Sequence, residues 1–111
     1  MRSDEDARDR DLPPIDRVVL RDERDGKDTR HVEAAIDNQG DLVLSGQDLG
    51  PKVQAFFRTH EYEYFYNIPA NYKDTLLLRL LEEKFKPEFL FDDWLKAHGI
   101  PYEFSNWYSP D

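Results

Sequence analysis

Residues 40–69 constrain the fold most, because they read as a strand, a turn, a short helix and a second strand in immediate succession. Leu42 and Leu44 alternate with Val43 and Ser45, which is the period of two that indicates a strand. The segment 46–50 begins and ends with glycine and is followed by Pro51. It is therefore predicted to be a sharp turn. The helix is predicted to occupy residues 52–58, with Val53, Phe56 and Phe57 on its inner face.

The stretch from His60 to Ile68 alternates again and is predicted to be the next strand. Pro69 ends it, because proline lacks the backbone donor that a ladder needs. Successive strand residues point to opposite faces, so the tyrosines and the glutamates must separate. One face receives Tyr62, Tyr64, Tyr66 and Ile68, and the other receives Glu61, Glu63, Phe65 and Asn67.

The rest of the chain supplies two further strands before this region, and two helices and a strand after it. Strands are predicted at 15–24, 29–36 and 100–108, and hairpin turns at Asp25-Gly26 and at residues 37–41. Helices are predicted at 71–85 and 87–98, with Asn71 as a cap and Gly99 as a stop. The order is β-β-β-α-β-α-α-β. It indicates a single α+β domain with an antiparallel or mixed sheet and helices packed on one face. Leu77 and Leu81 are expected in its core.

Composition divides the chain into an arm and a folded region. Residues 1–14 are rich in charges of both signs and are predicted to be a disordered arm, whereas residues 15–111 are predicted to be the single domain. There is no cysteine, no apolar run of membrane-spanning length and no signal-peptide pattern at the start. A cytoplasmic location is the expectation, and the sequence leaves the oligomeric state open.

The formal net charge of −9 bears on the partners. Binding to a phosphate backbone needs clustered lysines and arginines, and the sequence has no such cluster, so no nucleic-acid partner is expected. No membrane association is expected either. Acidic charge favours a basic protein partner.

Three motifs resemble a group of small bacterial proteins of unestablished activity. They are Gly40-Asp41-Leu42-Val43, the glycine-flanked segment 46–50 and the run Glu61 to Phe65, followed by a leucine-rich helix and the segment 99–102. The resemblance covers about residues 36–105 and implies a bacterial source. It implies no activity and no functional residues.

The aromatic residues give the strongest functional signal, because tyrosine and tryptophan dominate binding hot spots. They also fill cores wherever their polar group finds a partner, so the sequence alone leaves core and interface both open for the tyrosine face of residues 62–66. The candidate binding residues are Glu61, Tyr62, Glu63, Tyr64, Tyr66, Trp107 and Tyr108.

These observations favour a non-catalytic, acidic protein-interaction domain, such as an inhibitor or immunity-type partner of a more basic protein. No serine carries a nucleophile signature, and no histidine or carboxylate spacing converges on a metal, so no catalytic residue, metal or cofactor is predicted. The alternative is a small enzyme or a ligand- or metal-binding domain that uses His60, Glu61, Glu63 and His31. A pocket lined by at least two of these four side chains would favour that alternative.

Overall fold

The protein is an α+β protein, and its computed structural model describes residues 11–108. A four-stranded sheet has the order β1-β2-β3-β4, and every neighbouring pair is antiparallel. The strands are β1 (Arg17–Asp25), β2 (Asp28–Ile36), β3 (Leu42–Leu49) and β4 (Glu61–Ile68). The helices are α1 (Pro51–Phe57), α2 (Lys73–Phe85, after a 3-10 turn at Ala70–Tyr72) and α3 (Phe91–Ala97).

Contacts divide the described chain into two units. One consists of Ile15–Arg79 and contains the whole sheet with α1, and we call it the sheet unit. The other contains the described residues 11–14 and 80–108. Residues 1–10 of the proposed arm lie outside the described part of the chain. Residues 11–14 lie inside it, and the Leu12 amide donates to the Gly99 carbonyl at 2.9 Å.

The turns of the sheet follow from the residues that form them. Gly26 joins β1 to β2 with a φ of 64°, a left-handed conformation that glycine adopts without strain. Between β2 and β3, one carboxylate oxygen of Asp37 accepts hydrogen bonds from the amides of Gln39 and Asp41, both at 2.9 Å. Both turns were predicted from sequence, and both are confirmed.

The turn predicted at residues 46–50 is wrong for residues 46–49. β3 continues through Gly46 to Leu49, and the chain turns only at Gly50, where φ is 121°. Pro51 then begins α1 as predicted, with Val53 buried. The Asp28 carboxylate accepts a hydrogen bond from the Lys52 amide at 2.9 Å, which satisfies a backbone donor in the first turn of the helix.

Residues 100–108, which were predicted to form a strand, have no regular secondary structure. Asn71 lies within the 3-10 turn that precedes α2 and is not a helix cap. α3 begins at Phe91 rather than at Pro87, and it ends before Gly99, whose φ of 65° confirms the predicted stop.

The buried side chains also differ from the prediction. Leu77 is 53% exposed and Leu81 is half-buried, so α2 contributes no fully buried residue. The buried hydrophobic residues are Val32 and Val53 in the sheet unit and Leu95 in α3. Within residues 11–108, no helix has the length and the apolar character needed to cross a membrane.

Candidate functional site

Strand β4 lies at one edge of the sheet and carries five of the seven candidate residues. It pairs with β3 through a regular register that places Gly46 opposite Tyr64 and Gln47 opposite Glu63. No other strand of residues 11–108 joins its outer side. The candidate site is therefore a strand that is bonded along one side and open along the other.

The hydrogen-bond ladder shows which backbone groups face the open side. The Gly50 amide donates to the His60 carbonyl at 3.0 Å, so this pair, one step beyond Leu49 and Glu61, is a hydrogen-bonded pair. In an antiparallel ladder hydrogen-bonded and non-bonded pairs alternate. The even-numbered residues of β4 therefore bond to β3. The backbone N–H and C=O groups that point to the open side belong to Glu61, Glu63, Phe65 and Asn67.

The tyrosine face of β4 is partly core and partly exposed. The Tyr64 ring lies across Gly46 on β3, where a Cβ atom would come within 2.0 Å of the tyrosine Cζ. Tyr64 is accordingly half-buried, whereas Tyr62 and Tyr66 are 38% and 61% exposed. Tyr64 therefore packs against β3, whereas Tyr62 and Tyr66 of the same stripe are open to solvent.

Ring contacts connect this stripe to helix α1. The Phe57 ring stacks on Tyr62 with centroids 4.4 Å apart and planes 1° from parallel. Tyr62 and Tyr64 follow at 5.6 Å, and Tyr64 and Tyr66 meet edge to face at 6.3 Å. The contacts hold the tyrosines at fixed positions, so little side-chain entropy remains to be lost when a partner covers them.

The opposite face of β4 carries a coupled pair of carboxylates. The Gln47 side-chain amide donates to Glu61 Oε2 at 2.6 Å. A hydrogen bond from Glu63, and then the one from Gln47, lower the pKa of Glu61. The hydrogen bond with Glu61 and the charge of that carboxylate raise the pKa of Glu63. Both side chains are exposed, so the pair is accessible to a partner that brings positive charge.

A row of polar residues extends from this pair across the sheet. The register places Asp22, His31, Gln47 and Glu63 side by side on β1 to β4. His31 Nε2 lies 3.5 Å from Glu33 Oε1 and His31 Nδ1 lies 3.7 Å from Asp22 Oδ1. His31, Glu61 and Glu63 therefore share one face, while His60 precedes β4 and belongs, by alternation, with the tyrosines.

The alternative reading requires a pocket lined by at least two of its four residues. A cleft of about 520 Å³ lies at the end of the sheet unit between α1 and the β1–β2 hairpin, and none of the four lines it. Two ion pairs lie in its walls: Arg30 contacts Asp48 at 3.2 Å, and Lys52 contacts Asp25 at 3.6 Å. Among residues 11–108, no group of three or more histidine, aspartate or glutamate side chains is arranged to hold a metal ion.

Trp107 and Tyr108 belong to the other unit. They are 84% and 79% exposed, in the segment that follows α3 and has no regular structure. The site described above is built from the sheet unit alone.

Sequence reasoning missed three residues that shape the site: Gly46, Gln47 and Phe57. Gly46 and Gln47 were assigned to a turn, and their roles depend on the β3–β4 register, which alternation within one strand does not reveal. Phe57 was expected to face inward with Phe56. Only Phe57 stacks on the strand, and Phe56 is exposed.

Comparisons of the chain with protein-family models, with curated proteins and with solved structures found no match.

Proposed function

We propose that this chain is a non-catalytic protein-interaction domain that binds a more basic protein and acts as its inhibitor or immunity-type partner. The observation that carries the proposal is the composition of β4. Two exposed carboxylates, Glu61 and Glu63, and two exposed tyrosines, Tyr62 and Tyr66, lie on one strand at the edge of a sheet.

The two groups would contribute differently to binding. Carboxylates on a chain with a net charge of −9 attract a basic partner at long range and speed encounter, which salt screens over roughly 8–10 Å at physiological ionic strength. Exposed tyrosines held by ring contacts supply apolar area with little ordering cost, and they slow dissociation.

The test compares two variants with the same change in net charge. Glu61→Lys with Glu63→Lys reverses the pair on β4. Glu83→Lys with Glu103→Lys reverses two exposed carboxylates elsewhere. Wild-type and variant proteins are immobilised, proteins from the native host are passed over them, and retained proteins are identified by mass spectrometry and then purified.

Binding kinetics of the purified partner are measured at low and at physiological salt. We expect the β4 variant to lose most of the salt-dependent association rate, because it removes the local attraction, and we expect the control variant to keep it. Tyr66→Ala is expected to raise the dissociation rate. Wild-type kinetics in the β4 variant, with the fold intact by circular dichroism, would exclude this surface as the binding site.

A further inference from the structure

The two groups of candidate residues lie on opposite faces of β4, so a partner resting on either face would contact only one of them. The glutamates share their face with Phe65 and Asn67, and the tyrosines point the other way toward α1. A partner that contacts both groups must lie beside the strand, where the two faces meet at the open edge.

That edge is equipped for hydrogen bonding. The backbone groups of Glu61, Glu63, Phe65 and Asn67 point outward, and no strand of residues 11–108 pairs with them. β4 has no bulge in its pairing with β3 and no proline between Glu61 and Ile68. Bulges and prolines are two means by which natural edge strands block further pairing, and β4 has neither; the charges of Glu61 and Glu63 are its protection.

The other edge of the sheet, formed by β1, differs in the regularity of its pairing and in the signs of its charges. β1 carries a register shift between Val19 and Arg21, which twists an edge away from regular pairing. Its charges are of both signs, with Arg21 bonded to Glu23 at 3.0 Å. β1 therefore offers neither a regular ladder nor a field of one sign.

Resting on the proposed function, we propose that β4 binds its partner by strand addition: an extended segment with alternating basic and apolar side chains pairs with the open edge and becomes a fifth strand. Main-chain hydrogen bonds supply affinity in this mode, and alternate side chains supply specificity. Basic side chains of the added strand lie beside Glu61 and Glu63. Its apolar side chains lie beside Tyr62 and Tyr66 on the other face.

The charge of β4 favours a basic segment over a second copy of the chain as the added strand. Two copies paired along β4 would bring together two molecules of net charge −9, each with carboxylates at the contact. Opposite charges across neighbouring strands stabilise a sheet, and like charges destabilise it. The hydrogen bond with Glu61, and then the charge of Glu61, raise the Glu63 pKa, and a basic strand offsets that charge.

The first experiment uses synthetic peptides as the probe. A capped nine-residue peptide in which lysine alternates with valine is titrated into the full-length, nitrogen-15-labelled protein, to about 1 mM. A block peptide with the same lysines and valines in two separate runs serves as the control for charge. We expect the alternating peptide to shift the amide signals of Glu63 and Phe65, and to bind about tenfold or more tightly than the block peptide.

Backbone methylation then tests for the ladder itself. Alternate residues of a strand direct their N–H groups to opposite sides, so only one alternate set faces β4. Methylating the peptide N–H groups that face β4 is expected to abolish binding. Methylating the N–H groups that face away is expected to leave binding unchanged. If neither set matters, strand addition is wrong.

Two protein variants at Phe65 also test whether the peptide forms a hydrogen-bond ladder with β4. Because the Phe65 N–H points outward, Phe65→Pro removes a donor at the open edge without breaking a bond to β3. We expect Phe65→Pro to lose peptide binding and Phe65→Ala to keep it, with folding checked by circular dichroism. The methylated peptides decide the question if Phe65→Pro fails to fold.

The outcomes separate this inference from the function on which it rests. Equal binding of the alternating and block peptides, weakened in both cases by Glu61→Lys with Glu63→Lys, would overturn strand addition and retain an acidic binding surface. No binding of either peptide at about 1 mM, in the folded wild-type protein at low salt, would overturn both for β4.

Discussion

The contact between Gly46 and Tyr64 gives the sharpest test of the sheet. A Cβ atom at Gly46 would lie 2.0 Å from Tyr64 Cζ and 2.4 Å from the tyrosine oxygen, far inside van der Waals contact. Gly46→Ala must therefore push the ring off the strand by more than an ångström, and overpacking of this kind costs about 1–3 kcal/mol. When Tyr64→Ala has already removed the ring, Gly46→Ala should instead stabilise the strand by about 0.5–1 kcal/mol.

The two substitutions should therefore be coupled by about 1.5–4 kcal/mol in a double-mutant cycle. The free energies of unfolding come from urea titrations followed by far-ultraviolet circular dichroism. Tyr64→Phe is the matched control, since it keeps the Cζ and Cε2 atoms that would clash. In that background Gly46→Ala should cost as much as in the wild type. An equal cost of Gly46→Ala with and without the Tyr64 ring would refute the β3–β4 register.

Three further predictions follow from the burial and the charges. Leu95→Ala should cost about 2–5 kcal/mol because Leu95 is buried, whereas the exposed Leu77→Ala should cost less than about 1 kcal/mol, and urea titration compares them. Binding of the lysine–valine peptide should weaken as pH falls through the raised pKa of Glu63, because protonation removes a carboxylate charge while lysines stay protonated. Titration calorimetry should show that Glu63→Gln reduces this pH dependence. Glu61→Thr with Glu63→Thr should self-associate along the open edge, and a sedimentation profile identical to that of the wild type would contradict the role given to these charges.

The sequence predicted what depends on neighbouring residues. Period-two alternation assigned the tyrosines and the glutamates of β4 to their correct faces, because a strand fixes that geometry locally. The hairpin turns at Gly26 and Asp37 were likewise confirmed, since glycine and aspartate favour such turns through their own backbone preferences and side-chain bonds.

What failed depends on pairing between distant residues. Residues 100–108 alternate like a strand, but alternation does not create a ladder, and the described residues 11–14 and 80–108 contain no strand with which to pair. Gly46 was taken for a turn residue because glycine is common in turns. Its actual role, leaving room for a ring from the next strand, becomes visible only when the register is known. The Gln47–Glu61 bond depends on the same register.

The two edges of the sheet differ in how they prevent unwanted pairing. On β4 the side chains that do so, Glu61 and Glu63, are also those that would attract a basic partner. β1 is protected from unwanted pairing by its register shift, which acts against every added strand alike. β4 keeps a regular ladder, and its protection from unwanted pairing is the charge of its glutamates. That charge discriminates between acidic and basic added strands. Glu61 and Glu63 repel another acidic strand, including a second copy of this chain, and they attract a basic one. On the proposed strand addition, the same two side chains would close the edge to self-association and admit a basic partner. A regular, unpaired edge strand requires some such protection, because it otherwise offers a template for pairing with another chain.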